Sequence, residues 1–348
     1  MALVKTANIN TQLPAEMLEK IFLFFPPGDL KTAVLVCRWW QEVGEGPRFW
    51  LWVRLSSLKW SPSTIIEVLK SRRLEGMSQL VVWQVSEELL NAISNHPGLK
   101  ELLVVADLSS VDPELLVKVV VKMEDIGFRS TYLFTEQVER MFKALSQGSS
   151  LKILDIGEGC KKNVLASVEP ELFTGIINHL EELNLDHAKI IDLQAQAIFD
   201  AIRGSNKLKI LRLRFNNLSA VEPEVLAKAL NKLEEVDVCG SQLTDEQALV
   251  VIRELSENSN LKMLDMGETD LSSVEPGLLA RAVNKLEEAE LQDTNLSKEQ
   301  IEAILHLSLE HTSLKRLMIG SWNHGFTETI DQDLQDQAEH VIETVFIE

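Results

Sequence analysis

Leu261-Lys-Met-Leu-Asp-Met-Gly-Glu-Thr-Asp-Leu271-Ser-Ser-Val-Glu-Pro276 is the stretch that decides the fold. It opens on a hexad with apolar residues at positions 1, 4 and 6, and closes on Leu-Ser-Ser-Val-Glu-Pro. The closing motif recurs, with small changes, at Leu108–Pro113, Leu165–Pro170 and Leu218–Pro223. The steps are 57, 53 and 53 residues, and the long step holds four extra residues around Gly159–Lys162. Hexads begin at Leu99, Met123, Leu151, Leu180, Leu208, Leu233, Leu261, Leu286 and Leu314. The repeating unit is therefore a pair of ~25 and ~28 residues, a period that signals a solenoid of stacked repeats. Degenerate edge units surround Leu80-Val81-Val82 and Val341–Ile347.

Each unit reads as a short strand, a turn, a helix and a return loop. In the short units an acid followed by proline opens the helix, where a missing N–H costs nothing. After Pro276, an apolar stripe of Leu278, Leu279, Ala282 and Val283 is expected to face the core. In the long units, Thr244 with Gln247 and Ser297 with Gln300 read as capping boxes. Gly148 and Gly204 are expected to close the helices before them. Helices are wider than the ~4.8 Å spacing of strands, so the array must curve, with parallel strands inside and helices outside. The fold class is α/β. The second hexad position alternates in sign through Lys100, Glu124, Lys152, Glu181, Lys209, Glu234, Lys262, Glu287 and Lys315. On neighbouring strands these form a charge ladder that fixes register.

The alternating long and short units resemble the ribonuclease-inhibitor-like class of leucine-rich repeats over residues 76–348, without the cysteines of the inhibitor itself. Residues 11–53 do not fit the repeat. Leu18, Ile21, Phe22 and Phe25 share one helical face, Pro26-Pro27-Gly28 ends that helix, and Asp29 caps a second. The order Leu13-Pro14-Ala15-Glu16-Met17-Leu18, Pro27-x-Asp29-Leu30, Val36-Cys37-Arg38-Trp39-Trp40 and Pro47-x-Phe49-Trp50 closely resembles an F-box. That resemblance implies docking on a Skp-type adaptor through Leu13, Pro14, Leu18, Ile21, Phe22, Leu30 and Val36. The expected organisation is a tail over 1–10, a small α-helical F-box over 11–54 and a curved leucine-rich-repeat solenoid over 55–348.

Composition narrows the partners. The chain of 348 residues carries 53 acids against 34 bases, a formal charge of -19. This disfavours nucleic acid and anionic membrane surfaces, which are held by lysine and arginine. Three cysteines support neither a disulfide framework nor a cysteine-rich zinc site. No metal motif, phosphate loop or nucleophile elbow is present, so neither cofactor nor catalytic group is expected. Residues 1–12 hold no apolar signal core, and a reducing cytoplasmic and/or nuclear setting is expected.

Hexad positions 3 and 5 point into the concave face, the expected recognition surface. There Glu235, Asp237, Asp265, Glu288 and Glu290 line one wall, with Met263 as a floor and Arg212 and Arg214 breaking the pattern. Such a wall suits a target protein with a basic, partly apolar segment. Trp322, in an aberrant turn of the last full repeat, is a further candidate contact. Together with the resemblance, this implies a non-catalytic substrate receptor of an SCF-type cullin ubiquitin ligase, the cullin scaffold being reached through the adaptor. The alternative is a ribonuclease-inhibitor-like interaction or scaffold protein not used for ubiquitination.

Overall fold

The computed structural model describes residues 14, 17, 18, 21, 61–70, 77–157, 165–257, 259–310, 313–320 and 330–347. The chain divides into two compact units, residues 1–106 and 107–348. In the first, α1 (Pro62–Leu69) precedes β1 (Gln79–Val82), α2 (Glu87–Asn95) and β2 (Glu101–Val104). β1 and β2 run parallel, with Leu80 opposite Leu102. Ser86 caps α2 by accepting from the Leu89 amide at 3.2 Å.

The second unit is a solenoid of parallel strands that alternate with helices. In chain order it runs α3 (Pro113–Val120), β3 (Asp125–Phe128), α4 (Thr135–Ser146), β4 (Ile153–Asp155), α5 (Pro170–Ile177), β5 (Glu182–Asn184) and α6 (Asp192–Gly204). It continues with β6 (Ile210–Arg212), α7 (Pro223–Leu230), β7 (Glu235–Asp237), α8 (Asp245–Glu257), β8 (Met263–Asp265), α9 (Pro276–Val283) and β9 (Glu288–Gln292). Last come α10 (Lys298–Glu310), β10 (Arg316–Gly320), α11 (Gln332–Ala338) and β11 (Thr344–Ile347). Each strand pairs with the next in the register of the repeat: Leu183, Leu211, Val236, Leu264 and Ala289 stand side by side. The strands start at the third hexad position, so positions 1, 4 and 6 are buried and positions 3 and 5 lie on the open face. Leu208, Leu211 and Leu213 are all buried.

The charge ladder forms as the alternation requires. Glu234 sits between Lys209 at 3.2 Å and Lys262 at 2.7 Å, Glu124 meets Lys152 at 3.0 Å, and Glu287 holds Lys315. These pairs are exposed, so each adds little stability and acts mainly on register.

Helix starts follow the expected chemistry. Glu275 caps α9 by accepting from the Gly277 and Leu278 amides, with Pro276 in the first turn. Thr244 and Gln247 form a reciprocal box at 2.8 and 3.2 Å, and Ser297 and Gln300 another at 2.8 and 3.3 Å. Two expectations need correction. The buried stripe of α9 is Leu279, Ala280, Ala282 and Val283, with Leu278 only half-buried. Gly204 does not end α6 in a left-handed turn; it is the last helical residue, and Ser205 leaves in extended conformation. Gly148, at φ 109, does take the left-handed side after α4.

A second ladder runs inside the solenoid. Gln137, Gln194, Gln247 and Gln300 are all buried. The Gln247 amide donates to the carbonyls of Leu218 at 2.8 Å and Val221 at 2.6 Å, both within the preceding Leu-Ser-Ala-Val-Glu-Pro motif. Its carbonyl accepts from the Thr244 amide. Gln137, Gln194 and Gln300 repeat the arrangement on Leu108 and Val111, Leu165 and Val168, and Leu271 and Val274. One side chain thus satisfies two buried carbonyls and one partly buried amide in each pair of units, as burial of polar backbone demands.

Candidate functional site

The open face of the sheet carries the predicted residues in register. Glu235, Met263 and Glu288 are neighbours at position 3, and Arg212, Asp237, Asp265 and Glu290 at position 5. Arginines thread this wall. Arg212 pairs with Glu182 and lies 3.9 Å from Glu235, and Arg214 reaches Asp237 at 3.5 Å and Asp265 at 3.8 Å. Arg316 reaches Glu288 at 3.6 Å and Glu290 at 3.2 Å. Each of the five predicted acids therefore has an arginine within salt-bridge distance. Sequence reading passed over Arg316, although it holds position 3 of the hexad at Leu314 and could have been counted there.

The acids also differ in exposure. Asp237 and Asp265 are 7% and 2% exposed, whereas Glu235, Glu288 and Glu290 are half-buried. The reason is local. Asp237 Oδ1 accepts from the Cys239 amide at 3.2 Å, and Asp265 Oδ1 accepts from the Gly267 amide at 2.9 Å. Asp155 does the same for Gly157, and Asn184 for Asp186. A short acceptor at position 5 turns the chain out of its strand by an Asx turn. Part of the acidic wall is thus turn chemistry, and its longer, arginine-paired glutamates are the acids more exposed on the open face.

Burial raises the Asp237 carboxyl to about 6, against the pull of the Cys239 amide and Arg214. Asp265 is raised to about 6 by burial first and by the Asp237 charge second. Ionising Asp237 makes Asp265 harder to ionise, so the two titrate as a pair. The Cys239 thiol, pushed up to about 11 by burial, stays protonated and inert.

Because both folded carboxyls sit above the ordinary aspartate value, their stabilising proton is fully present below about pH 4. It is lost as pH rises through about 6. The melting temperature is therefore expected to fall between about pH 4 and pH 6, and Asp265→Asn to flatten that slope. Parallel slopes in the two proteins would refute the coupling; thermal melts across the range decide it.

Among the predicted adaptor contacts, Pro14 and Ile21 are exposed and Leu18 is fully buried. Met17, which sequence reading left aside, is 53% exposed and stands four residues before Ile21 in the sequence. Leu13, Phe22, Leu30, Val36 and Trp322 lie outside the described residues. Among the described residues, no group of three or more His, Cys, Asp or Glu can hold a metal ion.

Comparison with known proteins bears on the N-terminal segment. The F-box-like family model matches residues 11–56. The chain pairs an F-box-like segment with a leucine-rich-repeat solenoid. No curated protein matches the sequence. Among solved structures, the leucine-rich repeat-containing protein LegL7 from Legionella pneumophila aligns with a TM-score of 0.47 at 16% identity, over 84% of this chain and 97% of that one. The TLR13–ssRNA13 complex aligns with a TM-score of 0.46 at 14% identity, over 74% of this chain and 38% of that one.

Proposed function

We propose that the chain is a non-catalytic target receptor of an SCF-type ubiquitin ligase. The observation that carries this reading is the F-box-like match at residues 11–56 in a chain that continues into a protein-binding type of solenoid. In this reading the F-box-like segment docks on a Skp-type adaptor, with Leu13, Pro14, Leu18, Ile21, Phe22, Leu30 and Val36 as the expected contacts, and the adaptor joins it to the cullin. The open sheet face holds a target protein, and ubiquitin transfer is accelerated by raising the local concentration of target lysines. The target segment is basic and partly apolar, meeting Glu235, Glu288 and Glu290 around Met263. The site of action is the cytoplasm, the nucleus or both.

Co-purification from cells tests the reading. The full chain is expected to bring down both adaptor and cullin. Leu13→Ala combined with Pro14→Ala removes apolar docking surface and is expected to weaken adaptor capture by roughly tenfold or more. Adaptor without cullin would favour a scaffold, and undiminished capture by the double variant would place the contact elsewhere.

A further inference from the structure

The eighth residue of successive hexads forms a row at the exits of the strands: His187, Phe215, Gly240, Glu268 and Asp293. All five have positive φ, the four non-glycine residues between 53° and 61° and Gly240 at 64°. For a side chain with a β-carbon this left-handed conformation is costly, and a large aromatic gains nothing there from local hydrogen bonding. Phe215 takes it at φ 53 while leaving 41% of its surface exposed. Neither backbone ease nor burial accounts for a phenylalanine at this position, and strain of this kind marks functional positions.

Its surroundings say what it is suited to hold. The His187 ring stacks on Phe215 at 4.4 Å and 20°, fixing the orientation of the aromatic face. On the next repeat, the point where a Cβ on Gly240 would stand is 2.6 Å from the Phe215 ring and 3.4 Å from Glu268 Oε2. Any side chain at Gly240 would displace the ring, so the glycine keeps the aromatic and the carboxylate together over bare backbone. Glu268 is exposed and makes no ion pair among the described residues. A few residues beyond His187, at the start of α6, Ile191 and Leu193 are exposed.

We infer that Phe215, propped by His187 and facing Glu268 across Gly240, is a seat for an arginine side chain of the target, with Ile191 and Leu193 taking an adjoining apolar residue. An aromatic face and a carboxylate both attract a cation. A guanidinium suits the pair better than an ammonium, because it is planar, stacks on rings and is weakly hydrated. The inference rests on the solenoid being the target-binding part of the chain, and it adds a contact at the strand-exit edge to those on the sheet face.

The test is a titration of the full chain with a fluorescein-labelled peptide bearing one central arginine between leucines, and with its citrulline counterpart. The arginine peptide is expected to bind at least about 5-fold more tightly than the citrulline one. Phe215→Gly, which relieves the left-handed strain and is expected to raise the melting temperature, should remove that preference, as should Glu268→Gln. Glu224→Gln with Glu246→Gln, two exposed acids on the helices α7 and α8, should leave it intact. Equal binding of the two peptides, or a preference that survives Phe215→Gly or Glu268→Gln, overturns the inference. Adaptor capture is measured separately, so failure here and failure of the ligase reading are told apart.

Discussion

Gln247→Leu is expected to destabilise the solenoid by about 2–5 kcal/mol, although it replaces a polar residue in the interior with an apolar one of similar size. The substitution strips a donor from the Leu218 and Val221 carbonyls and an acceptor from the Thr244 amide. Leu218 O keeps a second bond from the Val221 amide, whereas the others lose more. A buried group deprived of its partner costs ~1–3 kcal/mol, and the added leucine surface offsets only part of that. Urea denaturation of the variant and of the wild type measures the difference. A loss below about 1 kcal/mol would mean that the glutamine ladder is dispensable.

Leu211→Ala is expected to cost about 2–5 kcal/mol, the usual range for a truncated core leucine whose neighbours cannot collapse. Leu211 is fully buried, and its strand is flanked on both sides by Leu183 and Val236. Units that lean on two neighbours have the least room to relax. Leu80 is just as inaccessible, at 1% exposure, but it belongs to the degenerate edge unit. Leu80→Ala is expected to cost less, because a weakly coupled unit can open locally without unfolding the array. Equal losses in denaturation would show that coupling, rather than burial, was the wrong discriminator.

The strands, their register and the charge ladder were legible because they are periodic: a leucine every unit and a sign change every strand can be read without knowing where the chain turns. The cap glutamines were half legible. Thr244 and Ser297 announced Gln247 and Gln300 as capping boxes, but Phe134 and Ile191 cannot cap with their side chains, and so hid Gln137 and Gln194. The reach of each amide back to the preceding motif is a tertiary contact 26 to 29 residues away, which no local pattern encodes. The acidic wall was legible as composition and mistaken in emphasis. Whether an aspartate at position 5 faces solvent or folds onto the amide two residues ahead depends on side-chain length, which a count of charges ignores. The strand-exit row was invisible for a different reason: positive φ at Phe215 belongs to the repeat's geometry and contradicts the preference of the residue itself.

The glutamine amides bind a long unit to the short unit before it, and the lysine–glutamate alternation gives the two units opposite signs. An array built this way cannot change length freely. Excising a single unit would bring like charges onto adjacent strands and leave a glutamine facing a turn with the wrong carbonyls, whereas excising a pair restores both. Insertions and deletions are therefore admissible only in steps of the full pair, so the lineage of this solenoid should record growth by duplication of two units at a time.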